Sequence, residues 1–186
     1  MAQSKPTVTI SAEQQQELLN TFASEFVAST PGKGDFPASF SMGSLKGRRC
    51  ETPQHVVRMS EPFEMAKYEV PQNLYQGVMG QNPSVWGGPR NSVEMVTWRD
   101  AKLFCARATQ LMRKAKLLTE DEEIRLPSEA EWEYCCRAGA KTEYSFGDSA
   151  VSENDEGLKA SLLDEFGWHT GNAAGNDPPV GAKKPN

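Results

Sequence analysis

Apolar residues recur at helical spacing in several stretches of the chain. The longest stretch follows Trp98 and keeps the i, i+3, i+4, i+7 series over four turns, with Ala101, Phe104, Cys105, Ala108, Leu111, Met112 and Ala115. A second series predicts a helix over residues 11–28, with Leu18, Leu19, Phe22, Phe26 and Val27 on one face. Pro71 suits the first position of a further helix that reaches Met79. The pattern therefore predicts amphipathic helices separated by polar loops.

Two short motifs predict where helices begin. Ser11 with Gln14, and Ser128 with Glu131, have the spacing of capping boxes, in which each side chain satisfies a free amide of the other residue. The helix that starts at Ser128 is expected to end at Gly139.

The glutamates after Ser128 have structural explanations. Glu131 is the capping partner, and Glu133 can pair with Arg137 four residues later. We therefore interpret Glu129, Glu131 and Glu133 as structural groups and not as acid/base catalysts.

Alternation of apolar and polar residues predicts short strands at residues 36–42, 55–59 and 63–70. Residues 149–186 are mostly loop, with one short helix expected near residues 158–166. Among the tryptophans, Trp98 and Trp132 flank helices and are expected to fill the core. Trp86 lies in a Gly- and Pro-rich loop, where it can contact a ligand.

Composition excludes several classes of function. The net charge of −5 argues against general nucleic-acid binding. No apolar run has the roughly 18 residues that a membrane helix needs. The first residues lack the apolar region of a secretory signal, so we expect a cytoplasmic protein with reduced thiols.

The cysteines and histidines do not have metal-site spacing. Cys50, Cys105, Cys135 and Cys136 form no Cys-x-x-Cys pair, and the two histidines, His55 and His169, are far apart in sequence. Cys105 lies on the apolar face of the long helix and is expected to be a small core residue.

Seven segments, in order, resemble one family: Ser41–Ser44, Met65–Val70, Val78–Ser84, Ser92–Trp98, Arg125–Arg137, Tyr144–Asp148 and Pro179–Gly181. Together they are similar to the formylglycine-generating enzyme domain, also called the sulfatase-modifying factor domain. The resemblance covers residues 37–186, after a leader and an amphipathic helix in residues 1–36. It implies an α+β, irregular and loop-rich fold related to C-type lectins, and we expect that fold to be incomplete at the C-terminus of this chain.

The resemblance also implies a chemistry. The founding activity of the family is the oxidation of a sulfatase cysteine to formylglycine with copper(I) and dioxygen, and some relatives are iron-dependent sulfoxide synthases. The copper-binding cysteines of the family follow a Gly-Asn-x-Trp-Glu-Trp segment, which this sequence lacks. We therefore expect no catalytic residue in this chain and no activity of the chain alone. Cys105 and Cys136 match positions that form disulfides in secreted members.

The resemblance leaves other functions open. Asn172 aligns with an asparagine that helps to bind calcium in characterised members, so it is a candidate calcium ligand. The chain can instead be a non-catalytic binding module that uses Trp86 and the loops of residues 148–180. It can also be half of a domain that a second chain completes. The expected partners are accordingly a protein or peptide substrate, or that second chain, with neither nucleic acid nor membrane.

Overall fold

Four α-helices and four short strands form the regular structure of residues 10–173 and 175–186, the part of the chain that the computed structural model describes. The helices are α1 (Ala12–Ser24), α2 (Gln72–Met79), α3 (Trp98–Lys114) and α4 (Glu129–Arg137), and the strands are β1 (Phe26–Ser29), β2 (Ser39–Met42), β3 (His55–Arg58) and β4 (Phe63–Ala66). Long loops connect them, so the predicted α+β, loop-rich class is confirmed. None of the described helices combines the length and the apolar character needed to cross a membrane.

The chain divides into two compact units. The first unit comprises the chain up to Phe26, Ala66–Leu126 and Ala173–Ala182, and the second comprises Val27–Met65, Pro127–Asn172 and Lys183–Asn186. The domain boundary expected at residue 36 remains a prediction.

The first unit is built around three helices. Helices α1, α2 and α3 bury one apolar cluster, formed by Leu19, Phe22, Leu74, Tyr75, Val78, Phe104, Cys105, Ala108 and Met112. The ring of Tyr75 stacks on that of Phe104 at 5.5 Å between centroids. Cys105 is buried as the sequence predicts, and burial is the main cause that raises the pKa of its thiol.

The predicted end of α1 is wrong. The helix ends at Ser24 and not at Ala28, because Phe26–Ser29 forms β1, which pairs with β4. The amide of Glu25 donates to the carbonyl of Phe22 and closes the last helical turn. Aromatic and β-branched residues favour strands. The sequence of this segment is compatible with either helix or strand, and pairing with β4 favours the strand.

The second unit contains the antiparallel pair of β2 and β3, most of β1 and β4, and helix α4. Its centre is Tyr134, whose ring makes edge contacts with Phe40 and Phe63 and whose hydroxyl donates to the carbonyl of Pro37 at 2.9 Å. The predicted 158–166 helix is reduced to a 3-10 turn at Leu163–Glu165.

Both predicted capping boxes are confirmed. Ser11 and Ser128 each accept from a backbone amide three residues later, and the partner side chains, Gln14 and Glu131, accept in return from the cap amides. A further capping box, of Thr97 and Asp100, begins α3. The predicted pair of Glu133 with Arg137 is also present, at 2.7 Å.

The expectation that Trp98 and Trp132 fill the core is wrong. Their exposed fractions are 69% and 59%. Trp98 lies on the same face of α3 as Cys105, seven residues earlier. It is the first residue of the helix, however, and the buried part of this face begins only at Phe104. Trp132 precedes the buried Tyr134 by two positions, about 200° around the helix, and so points away from it.

Candidate functional site

Four large apolar side chains are exposed close together in the sequence of the first unit. We call Val85, Trp86, Met95 and Trp98 the tryptophan surface; their exposed fractions are 65%, 47%, 71% and 69%. Val85 and Trp86 belong to the loop after α2, whereas Met95 and Trp98 precede and begin α3. Scattered apolar residues are common on protein surfaces, so the significance of this group rests on how its backbone is held.

A buried glutamine organises the loop that carries Trp86. Gln72, the first residue of α2, is 1% exposed. Its Nε2 donates to the carbonyls of Trp86 and Ser92 at 2.8 and 3.1 Å, and its Oε1 accepts from Asn82 Nδ2 and the amide of Gly88 at 2.9 and 3.2 Å. One side chain therefore uses all four of its hydrogen-bonding positions to fix a loop that has no regular structure.

Glu94 joins this loop to the residues that precede α3. Its carboxylate oxygen Oε1 accepts from the amides of Val85 and Trp86, the second at 3.1 Å. Its own amide donates to the buried Ser84 hydroxyl at 3.2 Å. Hydrogen bonds to a carboxylate are stronger than neutral ones. Hydrogen bonds of Gln72 and Glu94 thus fix the backbone of this loop, whereas the apolar side chains that it carries are exposed to solvent.

Met95 has an unusual backbone conformation. Its φ is 59°, in the left-handed region that costs a non-glycine L-residue roughly 1–2 kcal/mol. The next residues lead directly into the capping box, where hydrogen bonds from Thr97 lower the pKa of Asp100. The fold keeps a long apolar side chain exposed at a position where a glycine or asparagine would be less strained.

The sequence predicted one member of this surface. Trp86 is half exposed, as a ligand contact requires, and its contact with a ligand remains a prediction. Sequence reasoning missed Val85 and Met95 and assigned Trp98 to the core. The available signal for Val85 was its place between Ser84 and Trp86, just before the Gly87-Gly88-Pro89 turn. The sequence Glu94-Met95-Val96 contains no turn signal, so nothing in the sequence indicated that Met95 would be exposed.

In the second unit, the side chain of Asn172 makes three hydrogen bonds with nearby residues. Its Oδ1 accepts from the amide of His169 at 2.8 Å, and its Nδ2 donates to Asp164 Oδ1 and to the carbonyl of Gly167 at 2.9 and 3.0 Å. No group of three or more His, Cys, Asp or Glu side chains suited to a metal ion occurs among residues 10–173 and 175–186. Calcium binding at Asn172 remains a prediction, and a calorimetric titration with calcium that shows no binding would contradict it.

Most of the sequence matches a known family. Residues 29–186 match the sulfatase-modifying factor enzyme 1-like domain. The chain belongs to this family. Two solved structures are similar: the variable protein 1 of Treponema denticola (23% identity, TM-score 0.61) and PvdO from Pseudomonas aeruginosa (26% identity, TM-score 0.57). Each similarity covers 87% of this chain, and 66% and 63%, respectively, of the solved chains.

A curated relative of this sulfatase-modifying factor domain is the chaperone protein LppX of Paenibacillus barcinonensis. The two are 28% identical over 177 residues, which covers 77% of this chain and 62% of the relative. The domain thus spans less than two thirds of the length of the relative that it matches.

The cysteines of the domain do not fit the copper site that the family implies. Copper(I) takes soft thiolate ligands, which must converge on one ion. Cys105 is buried in the first unit, and Cys135 and Cys136 are neighbours on α4, so the helix directs their side chains differently. Burial is the largest cause that raises the pKa of both α4 thiols, which disfavours the thiolate. Cys50 is exposed and belongs to no metal-ligating group in the described residues.

Proposed function

We propose that this sulfatase-modifying factor domain recognises apolar segments of other polypeptides, and that the tryptophan surface is its binding site. The observation that carries the proposal is the combination of four exposed apolar side chains with a backbone fixed by Gln72 and Glu94. A preorganised backbone loses less conformational entropy on binding, so a larger share of the free energy of apolar contact contributes to affinity. Tryptophan side chains are frequent among the residues that dominate binding.

The similarity to LppX supports this proposal. That relative is named a chaperone protein, and chaperones as a class bind other polypeptides. Apolar surface on this domain suits such a ligand, because each Å² of apolar surface removed from water contributes about 25 cal/mol.

The proposal is tested with a short fluorescein-labelled peptide in which Phe and Leu alternate with Ser and Gly. Fluorescence anisotropy measures its affinity for the wild-type domain, for Trp86→Ser and for Trp132→Ser. We expect Trp86→Ser to weaken binding about 30-fold, the effect of losing a dominant contact of about 2 kcal/mol. Trp132→Ser is the matched control, because Trp132 is also an exposed tryptophan but lies on α4 of the second unit. Equal losses in the two variants, or no binding by the wild type, would refute the proposal.

We further propose that the residues of this chain do not by themselves perform the founding reaction of the family. The support is the mismatch between the four cysteines and a copper(I) site. Incubation with copper(I), dioxygen and a cysteine-containing sulfatase peptide should leave the peptide mass unchanged. A peptide product with the mass of the aldehyde would show that the proposal is wrong.

A further inference from the structure

Helix α3 is strongly basic, although the chain is acidic. Its sequence carries five basic residues, namely Arg99, Lys102, Arg107, Arg113 and Lys114, and one acidic residue, Asp100. The whole chain has a net charge of −5. The helix that begins with Trp98 therefore has a net charge opposite to that of the chain, and two of its basic residues, Arg99 and Lys102, lie in its first turns next to Trp98.

The two acidic residues in the sequence between Val85 and Lys102 form hydrogen bonds within the chain. Asp100 accepts from the amide and hydroxyl of Thr97 at 2.9 and 2.6 Å. Glu94 accepts from the amides of Val85 and Trp86. Neither carboxylate forms an ion pair with a basic residue of α3 within the described part of the chain. Both carboxylates remain charged but are held at the local backbone, so Arg99 and Lys102 have no ion-pair partner among the described residues.

Two basic residues lie close to Trp98 in the first turns of α3. Arg99 follows it and is exposed. Lys102 is one turn further along α3, and its Nζ lies 5.3 Å from the centroid of the Trp98 ring. Arg113, by contrast, donates to the carbonyls of Glu120 and Glu122 at 2.7 Å, and these hydrogen bonds stabilise the loop after the helix. Arg99 and Lys102 are thus the charges available to a ligand on the tryptophan surface.

We propose that the polypeptide segment bound by the tryptophan surface carries Asp or Glu residues next to its apolar residues, and that Arg99 and Lys102 select it. This inference rests on the proposed function. The apolar side chains of the segment pack on Trp86 and Trp98, while its carboxylates pair with the guanidinium and the ammonium group. Complementary charge of this kind sets specificity and speeds association more than it adds affinity. Each exposed ion pair contributes a factor of about five or less.

The experiment uses three labelled peptides with the same Phe and Leu positions. Their spacer residues are neutral, contain two Glu, or contain two Lys. Anisotropy titrations compare the wild type with the double variant Arg99→Gln, Lys102→Gln. The matched control is Arg58→Gln, Lys141→Gln, which removes two exposed positive charges from the second unit. Circular dichroism verifies that each variant keeps the helix content of the wild type.

We expect the acidic peptide to bind the wild type about tenfold more tightly than the neutral one, and the basic peptide to bind more weakly than both. The double variant should lose this preference and keep its affinity for the neutral peptide, whereas the control should keep both. In 1 M salt the preference should disappear, because the Debye length is then about 3 Å.

Equal affinity of the wild type for the three peptides would overturn the charge selection and leave the proposed function standing. A preference that persists in the double variant would also overturn it. No binding of either the neutral or the acidic peptide would refute both proposals. Binding to vesicles with anionic phosphatidylserine, without binding to the acidic peptide, would assign the basic face to a membrane and overturn this inference.

Discussion

Replacing Gln72 with glutamate changes one buried atom and should remove much of the stability of the loop that carries Trp86. In the wild type, Gln72 Nε2 donates to two carbonyls, at 2.8 and 3.1 Å. In Gln72→Glu, a carboxylate oxygen faces those carbonyls, so two hydrogen bonds of about 1 kcal/mol each are lost. A buried charge without a compensating partner costs about 3–5 kcal/mol. Because the charge cost includes much of the hydrogen-bond loss, we expect the free energy of unfolding to fall by about 3–5 kcal/mol at pH 8.

The loss should depend on pH with a definite sign. Burial and the two facing carbonyls favour the neutral carboxyl, so its pKa in the folded variant is raised above its value in the unfolded chain, about 4.3. Below the unfolded pKa the carboxyl is neutral in both states, and its hydroxyl can donate to one carbonyl. As the pH rises through the folded pKa, the variant loses stability relative to the wild type.

Urea denaturation monitored by tryptophan fluorescence measures the difference at pH 5 and at pH 8. Gln110→Glu makes the same chemical change at an exposed position of α3 and should alter stability by no more than about 0.5 kcal/mol. A loss below about 1 kcal/mol for Gln72→Glu at pH 8, or a larger loss at pH 5 than at pH 8, would refute the role assigned to this side chain.

Three further changes test other features. Met95→Asn should raise the free energy of unfolding by up to about 1 kcal/mol in urea denaturation, because asparagine adopts a positive φ more readily and Met95 is exposed; a loss of stability would contradict this. Ser128→Ala should lower the melting temperature through a loss of about 1 kcal/mol, because α4 loses its cap; an unchanged temperature would count against the capping role. In thiol labelling of the native protein, Cys50 should react readily and Cys105 only on unfolding, because burial raises its pKa and blocks access; rapid labelling of Cys105 would show that the core is more open.

Features set by neighbouring residues in the sequence could be predicted. The two serine capping boxes depend on a pair of residues three positions apart, and both are present. The apolar series of α3 depends on helical spacing alone, and its buried members agree with the pattern. The pair of Glu133 with Arg137 likewise follows from one turn of helix.

Features set by distant parts of the chain could not be predicted in this way. Strand β1 exists because β4 pairs with it, and the local sequence of β1 is compatible with continued helix. The exposure of Trp98 depends on where the packing around α3 begins, which its periodicity does not show. The left-handed φ of Met95 has no signal in the residues around it. Most of the candidate site therefore emerged only from the structure.

Helix α1 has a practical consequence for work with this domain. The family match begins at residue 29, yet Leu19 and Phe22 of α1 belong to the same buried cluster as Leu74 and Phe104. A recombinant fragment that starts at residue 29 would leave the apolar faces of α2 and α3 uncovered and prone to self-association. Expression boundaries for biophysical work should therefore include α1.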